Sequence, residues 1–194
     1  MKLISQLTLA ACLLSLHTTV SASIVPSVDY TFGTGTESVF FVIDWNDGPD
    51  DNLNWQLNYT SGAYASVYEA MVDLDAQDTN LAFAFNTDFG APFLEGMSFD
   101  DGSETHTADT TTDPLPRDWI SFWTGPASGS TWTSSGTGVS DTPASSGTAY
   151  GLNYESDWNN PSSSPNAIPE PGMIALCLGG IGVFAWLRRF RDRS

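Results

Sequence analysis

Residues 23–168 contain no lysine and no cysteine. They hold one histidine, His106, and one basic residue, Arg117, against 21 acidic residues, a net charge of −20. Each absence removes a class of chemistry. Without lysine there is no Schiff base. Without cysteine there is no thiolate nucleophile, no thiolate zinc site and no disulfide. One histidine does not make a histidine-rich metal cage. Binding to nucleic acid through phosphates needs clustered Lys and Arg, so nucleic acid is excluded as a partner. Docking by charge on anionic lipid is excluded for the same reason. The chain of 194 residues has room for one domain with short appendages.

The basic residues that do occur lie at the ends. Lys2 precedes an apolar run from Leu7 to Leu16, and Val20-Ser21-Ala22 offers small residues at an A-x-A-like site. This is the pattern of a secretory signal peptide, residues 1–22, cut after Ala22 by the export (Sec) machinery. Leu9-Ala10-Ala11-Cys12 also fits a lipobox. A cut there would leave Leu13, Leu14 and Leu16 on the mature chain, which argues for Ala22. At the other end, Pro169-Glu170-Pro171 is followed by Gly172–Leu187 without a charge, then by Arg188, Arg189, Arg191 and Arg193. As a helix the apolar segment would span about 24 Å, slightly short of a comfortable membrane crossing. The arginines would keep the tail in the cytoplasm and place everything before Pro169 outside. Two prolines hold Glu170 in an extended segment beside the membrane, open to a membrane-embedded protease.

This tail resembles the PEP-CTERM sorting domain of exported proteins in Gram-negative bacteria. The resemblance covers residues 166–193 and rests on Ile168-Pro169-Glu170-Pro171, the span with Gly179, Gly180 and Gly182, and the arginine cluster. It implies recognition by an exosortase, a multi-pass membrane protease or transpeptidase that cuts near the motif. The precursor would be anchored in the inner membrane. The product would go to the cell surface or extracellular matrix, often with exopolysaccharide. The same kind of tail is also classed as an ice-binding-protein C-terminal domain. That label describes neighbours of the tail and does not make this chain bind ice.

Between the two ends, residues 23–158 read as a single acidic, Trp-rich α+β domain, and the Ser/Pro-rich residues 159–168 as a linker. Val39–Ile43 is a continuous β-branched and aromatic run, expected to be a strand buried on both faces. Leu53–Tyr59 alternates apolar and polar, as a strand with one wet face does. The two predict a hairpin with an acidic tip. Ser66 and Glu69 form a capping box ahead of Val67, Met71 and Leu74, which predicts a helix ending near Asp75–Gln77. Leu81–Phe85 alternates as a strand. Asp100-Asp101-Gly102-Ser103 predicts a hairpin between Met97–Phe99 and Glu104–Thr107. Trp119–Trp123, Thr131–Thr133 and Tyr150–Tyr154 are further strands. The expectation is one mostly antiparallel sheet with one packed helix. The order of these segments, with Asp-Trp-Asn-Asp-Gly and Trp-x-x-Phe-Trp, is similar to the β-grasp-like domain that ends transcobalamin-type proteins. No functional residue is carried across by that similarity.

Hard oxygen ligands suit Ca²⁺, and Asp44, Asn46, Asp47, Asp50 and Asp51 fall within eight residues. The run departs from an EF-hand, with Pro49 at the glycine position. Asp73, Asp75 and Asp78, and the pair Asp100-Asp101, are poorer candidates of the same kind. A solvated acidic loop accounts for all of them equally. His106, near a turn, reads as a surface residue. Of the tryptophans, Trp55 and Trp119 read as core. Trp45 and Trp158 read as exposed rings able to stack on sugar. The expected product is a non-enzymatic surface or matrix protein that contacts polysaccharide. The competing expectation is a secreted glycan hydrolase using a carboxylate pair, visible as two acids converging in a Trp-lined groove.

Overall fold

The computed structural model describes residues 23–25, 27–46, 52–88, 90–110, 119–155 and 164–165. Among them the order is β1 (Tyr30–Gly33), β2 (Glu37–Asp44), β3 (Asn52–Tyr59), α1 (Val67–Gln77), β4 (Leu81–Asn86), β5 (Phe93–Asp100), β6 (Thr105–Asp109), β7 (Trp119–Pro126), β8 (Thr133–Ser134) and β9 (Thr148–Glu155). The fold is α+β, as the segment pattern predicts. The strands form two sheets rather than one: six strands in the order β1-β3-β2-β9-β7-β8, and three in the order β4-β5-β6. Two pairs, β1 with β3 and β2 with β9, are parallel. Periodicity reveals a strand but not its neighbour, so neither the division nor the parallel pairs were legible.

The run Val39–Ile43 sits in β2, beside the sheet's centre, between β3 and β9. Val39, Phe41, Val42 and Ile43 are fully buried, which explains the absence of alternation. β2 and β3 form the expected hairpin, from Glu37 opposite Tyr59 to Asp44 opposite Asn52. Trp55, Leu57 and Tyr59 turn inward as their alternation predicts. The opposite side of β3 departs from expectation. Asn54 and Asn52 are buried, because that face of the sheet is covered as well.

The helix is built by its caps. Ser66 Oγ accepts from the Glu69 amide at 3.3 Å, and the Glu69 carboxylate accepts from the Ala65 amide at 2.6 Å. Val67, Ala70, Met71 and Leu74 are buried. At the C-terminal end Asp78 closes the turn through its amide to the Leu74 carbonyl, 2.8 Å. The Asp78 carboxylate accepts from Trp55 Nε1 at 2.9 Å, tying helix to sheet.

The helix and the three-stranded sheet share one apolar core with the large sheet. The two sheets meet through aromatic rings: Phe99 of β5 lies edge-on to Trp55 at 5.1 Å and tilted against Tyr30 at 5.1 Å. In β9, Tyr150 packs on Phe41 and Phe122, and its hydroxyl donates to the Pro143 carbonyl at 2.8 Å. With no cysteine in the domain, these contacts replace disulfides.

The second face of the large sheet carries a different layer. Gly125 of β7 pairs with Ala149 of β9, and Gly151 of β9 pairs with Val42 of β2, so small residues line a depression. Trp132 and Ile24 cover it. Ile24 is only 1 % exposed, and its amide donates to the Gly129 carbonyl at 2.6 Å. Ser23 Oγ donates to the Ala127 carbonyl at 2.9 Å. The first residues after Ala22 are therefore an integral part of the fold.

Candidate functional site

Four strands of the large sheet bring polar side chains to one end of its second face. Asp44 of β2 pairs with Asn52 of β3 and with Asn153 of β9, and Asn153 pairs with Ser121 of β7. Directly opposed residues share a face. All four are buried, and so is Glu155 two residues on. Ser121 Oγ donates to Glu155 Oε1 at 2.9 Å and accepts from Trp123 Nε1 at 2.9 Å. Asn54, opposite Val42, is 0 % exposed, and neither polar atom of its side chain has a hydrogen-bond partner. None of Asn52, Asn54, Ser121, Asn153 and Glu155 stands out in the sequence. The polar residues at alternate positions of β3 carried the opposite signal, a face turned to water.

Of the predicted calcium ligands, Asp44 and Asn46 are described, and Asp47, Asp50 and Asp51 lie outside the described residues. Asp44 Oδ1 accepts from the Asn46 amide at 3.0 Å, and Asn46 is left-handed at φ 59°. This is an Asx turn that starts the loop. Among the described residues, no three or more His, Cys, Asp or Glu side chains are grouped to hold a metal ion.

The other acidic candidates serve local structure. Asp73 accepts from the Tyr64 hydroxyl and from Gln77 Nε2. Burial, together with this bond, pushes the Tyr64 hydroxyl well above the usual tyrosine range. Asp75 accepts from the Phe83 amide at 3.1 Å. In the β5–β6 turn Asp100 accepts from the Gly102 amide, and Gly102 takes φ +86°. Asp101 Oδ1 accepts from the Glu104 amide and from the amide and hydroxyl of Ser103, each at 2.7 Å. Those donors, the Glu104 amide foremost, hold the Asp101 carboxyl down to about 2.

Two aromatic expectations are corrected. Trp45 is buried rather than exposed, and His106 is buried rather than on the surface. They stack on each other at 5.5 Å and 27°, joining the end of β2 to β6. Local turn residues suggested exposure for both, but the contact links positions 61 residues apart in the chain, which no local pattern encodes. Trp55 is core as expected. The side chain of Trp119, and the whole of Trp158, lie outside the described residues. The outer face of the small sheet holds a shallow cavity of about 310 Å³ over Ala82, Ala84, Gly96, Ser98 and Thr107, with Glu95 and Asp109 at its edge. It holds no Trp or Tyr on which a sugar would stack.

Comparison with family models, with curated proteins and with solved structures found no match.

The residues expected to serve processing, Ala22, Pro169, Glu170, Pro171, Arg188, Arg189, Arg191 and Arg193, lie outside the described residues. Among the described residues no helix is long and apolar enough to cross a membrane. The apolar segment 172–187 is not among them. What the structure places is the ground on either side. Ser23 comes directly after the expected signal cut and is bonded into the domain. Pro165, four residues before the motif and inside the stretch read as a linker, is buried. A Cβ on Gly151 would lie 2.8 Å from Pro165 Cγ and 3.0 Å from the ring of Trp132. Such approaches are possible only over glycine.

Proposed function

We propose that the chain is an exported, non-enzymatic cell-surface or matrix protein of a Gram-negative bacterium, sorted by its C-terminal tail through an exosortase and associated with exopolysaccharide. The observation that carries this reading is the ordered triad at the C-terminus: Pro169-Glu170-Pro171, the uncharged apolar segment 172–187, and the arginines of 188–193. Extended acidic motif, membrane handle and cytoplasmic stop are the parts a membrane protease needs in that order.

The ectodomain suits such a life. Removal of residues 1–22 would take away none of the described residues, the first of which is the bonded Ser23. Stability without disulfides or cysteine frees the product from any redox requirement outside the cell. Glu69, Asp75, Asp78, Asp100 and Asp101 are held in helix caps and turns, which favours a binding or structural role over hydrolysis. The strand order β3-β2-β9-β7, with β2 and β9 parallel and α1 following the first hairpin, supports a β-grasp-like core. The three-stranded sheet is then an insertion after the helix.

Replacement of Glu170 by Ala tests the sorting reading. The expected outcome is uncut precursor retained in the inner membrane of the producing bacterium, detected by immunoblot of membrane and released fractions. Release of the Glu170→Ala protein at the parental rate would show that the motif is not read.

A further inference from the structure

Residues 159–168 look like a free spacer, yet Pro165 is seated. Its ring lies over Gly151, where the benzo ring of Trp132 also lies, with Cζ3 and Cη2 3.0 Å from the Cβ position. The neighbouring Cε3 of the same ring lies 3.6 Å from the Cβ position of Gly125, where Ile24 Cδ1 also packs. One row of small residues thus seats Ile24, Trp132 and Pro165, from the first residues of the ectodomain to one of its last. This seat shortens the reach of the sorting motif. Only Asn166, Ala167 and Ile168 separate Pro165 from Pro169. At ~3.5 Å per residue, the motif stands at most about 14 Å from the seated proline. Measured from Glu155, where β9 ends, the same chain would reach about 50 Å at that rise. A domain of this size has a radius of gyration of about 15 Å. With Pro165 seated, a protease must therefore work within about 14 Å of it. That domain carries a net charge of −20 and is repelled by an anionic bilayer surface.

We propose that Pro165 is a latch: seated over Gly151 and Trp132, it holds the sorting motif close to the folded ectodomain, and its release speeds removal of the tail. This rests on the sorting reading given above. Pro165 acts as a positioning residue, distant from the bond that is cut. The cut breaks one peptide bond. Water, or an amine when the enzyme transfers the chain, takes the acyl carbon, and the tail departs with the new amino group. The latch alters how often the motif meets the protease, in the way linker length sets effective concentration.

The test is pulse-chase of the full-length chain in its producing bacterium. Pro165→Ser removes the ring, Gly151→Ala drives a methyl group into its seat, and a six-residue Gly/Ser insertion after Pro165 lengthens the reach while leaving the seat intact. Each should shorten the half-time of tail removal several-fold. Combining Pro165→Ser with Gly151→Ala should give no further gain, because both release one contact. Unchanged or slower processing of both Pro165→Ser and the insertion variant would overturn the latch, even if Gly151→Ala simply fails to fold. Glu170→Ala added to each variant separates the two ideas. Continued cutting there sinks the sorting reading, whereas a block there with no effect of release sinks the latch alone.

Discussion

The two faces of the six-stranded sheet are covered in opposite ways. One face meets a helix and a second sheet, through large rings and branched chains such as Phe41, Trp55, Tyr150 and Leu152. The other is lined with Gly125, Ala149 and Gly151 at one end and with Asp44, Asn153 and Ser121 at the other. The pieces described over it are single residues outside the strands: Ile24, Trp132 and Pro165. The first face is a core built from secondary structure. The second is a seat for the ends of the domain. The proposed cutting at both ends suits this division, because the main core is built on the other face.

The comparison can be broken most forcefully from the first face. Trp55→Ala removes a fully buried ring and the donor to Asp78, and should cost about 3–5 kcal/mol in urea unfolding. Ile24→Ala on the second face should cost less, about 2–3 kcal/mol, because only one small cluster loses its cover. A cost for Ile24→Ala that matches or exceeds that of Trp55→Ala would mean that the two faces form one core.

What was legible divides in the same way. The helix, the β2–β3 hairpin and the Asp-Gly turn come from periodicity, caps and turn residues, all local signals. The burial of Trp45 against His106 was not legible, nor was the covering of Asn54, because each depends on a partner distant in sequence. β1 escaped notice because Tyr30–Gly33 is short and pairs with β3 across the intervening β2. β9 gave only a weak signal, with Gly151 and Asn153 breaking its apolar run, yet it lies at the sheet's centre, and both residues face the second layer. The residues expected to serve processing form the reverse case. They are clear in the sequence as order and composition, and lie outside the described fold.

Asn54 sharpens the comparison at intermediate size. A buried amide with no partner carries its full desolvation cost, so Asn54→Leu should raise stability by about 1–3 kcal/mol, read from the urea midpoint. A loss of stability would show that the polar end of the second face needs this amide.

The smallest effect belongs to a turn outside both faces. The Asp101 carboxyl ionises at about 2 in the fold against 3.8 ordinarily. A depressed carboxyl adds stability that is complete above its unfolded value and is lost as pH falls toward the folded one. Asp101→Asn should therefore lower the melting temperature slightly at neutral pH, flatten its fall between about pH 4 and pH 2, and leave the value near pH 2 little changed. A parental pH profile in this variant would mean that the Ser103 and Glu104 donors do not favour the charged carboxylate.

As proposed, an acidic, cysteine-free domain beginning at Ser23 is the lasting product, and the C-terminal arginines belong to a discarded handle. Intact-mass measurement of the protein recovered outside its producing cells decides this. The expected species is a mature chain that starts at Ser23 and ends before Gly172. A released species that still carries Arg188–Arg193 would contradict it.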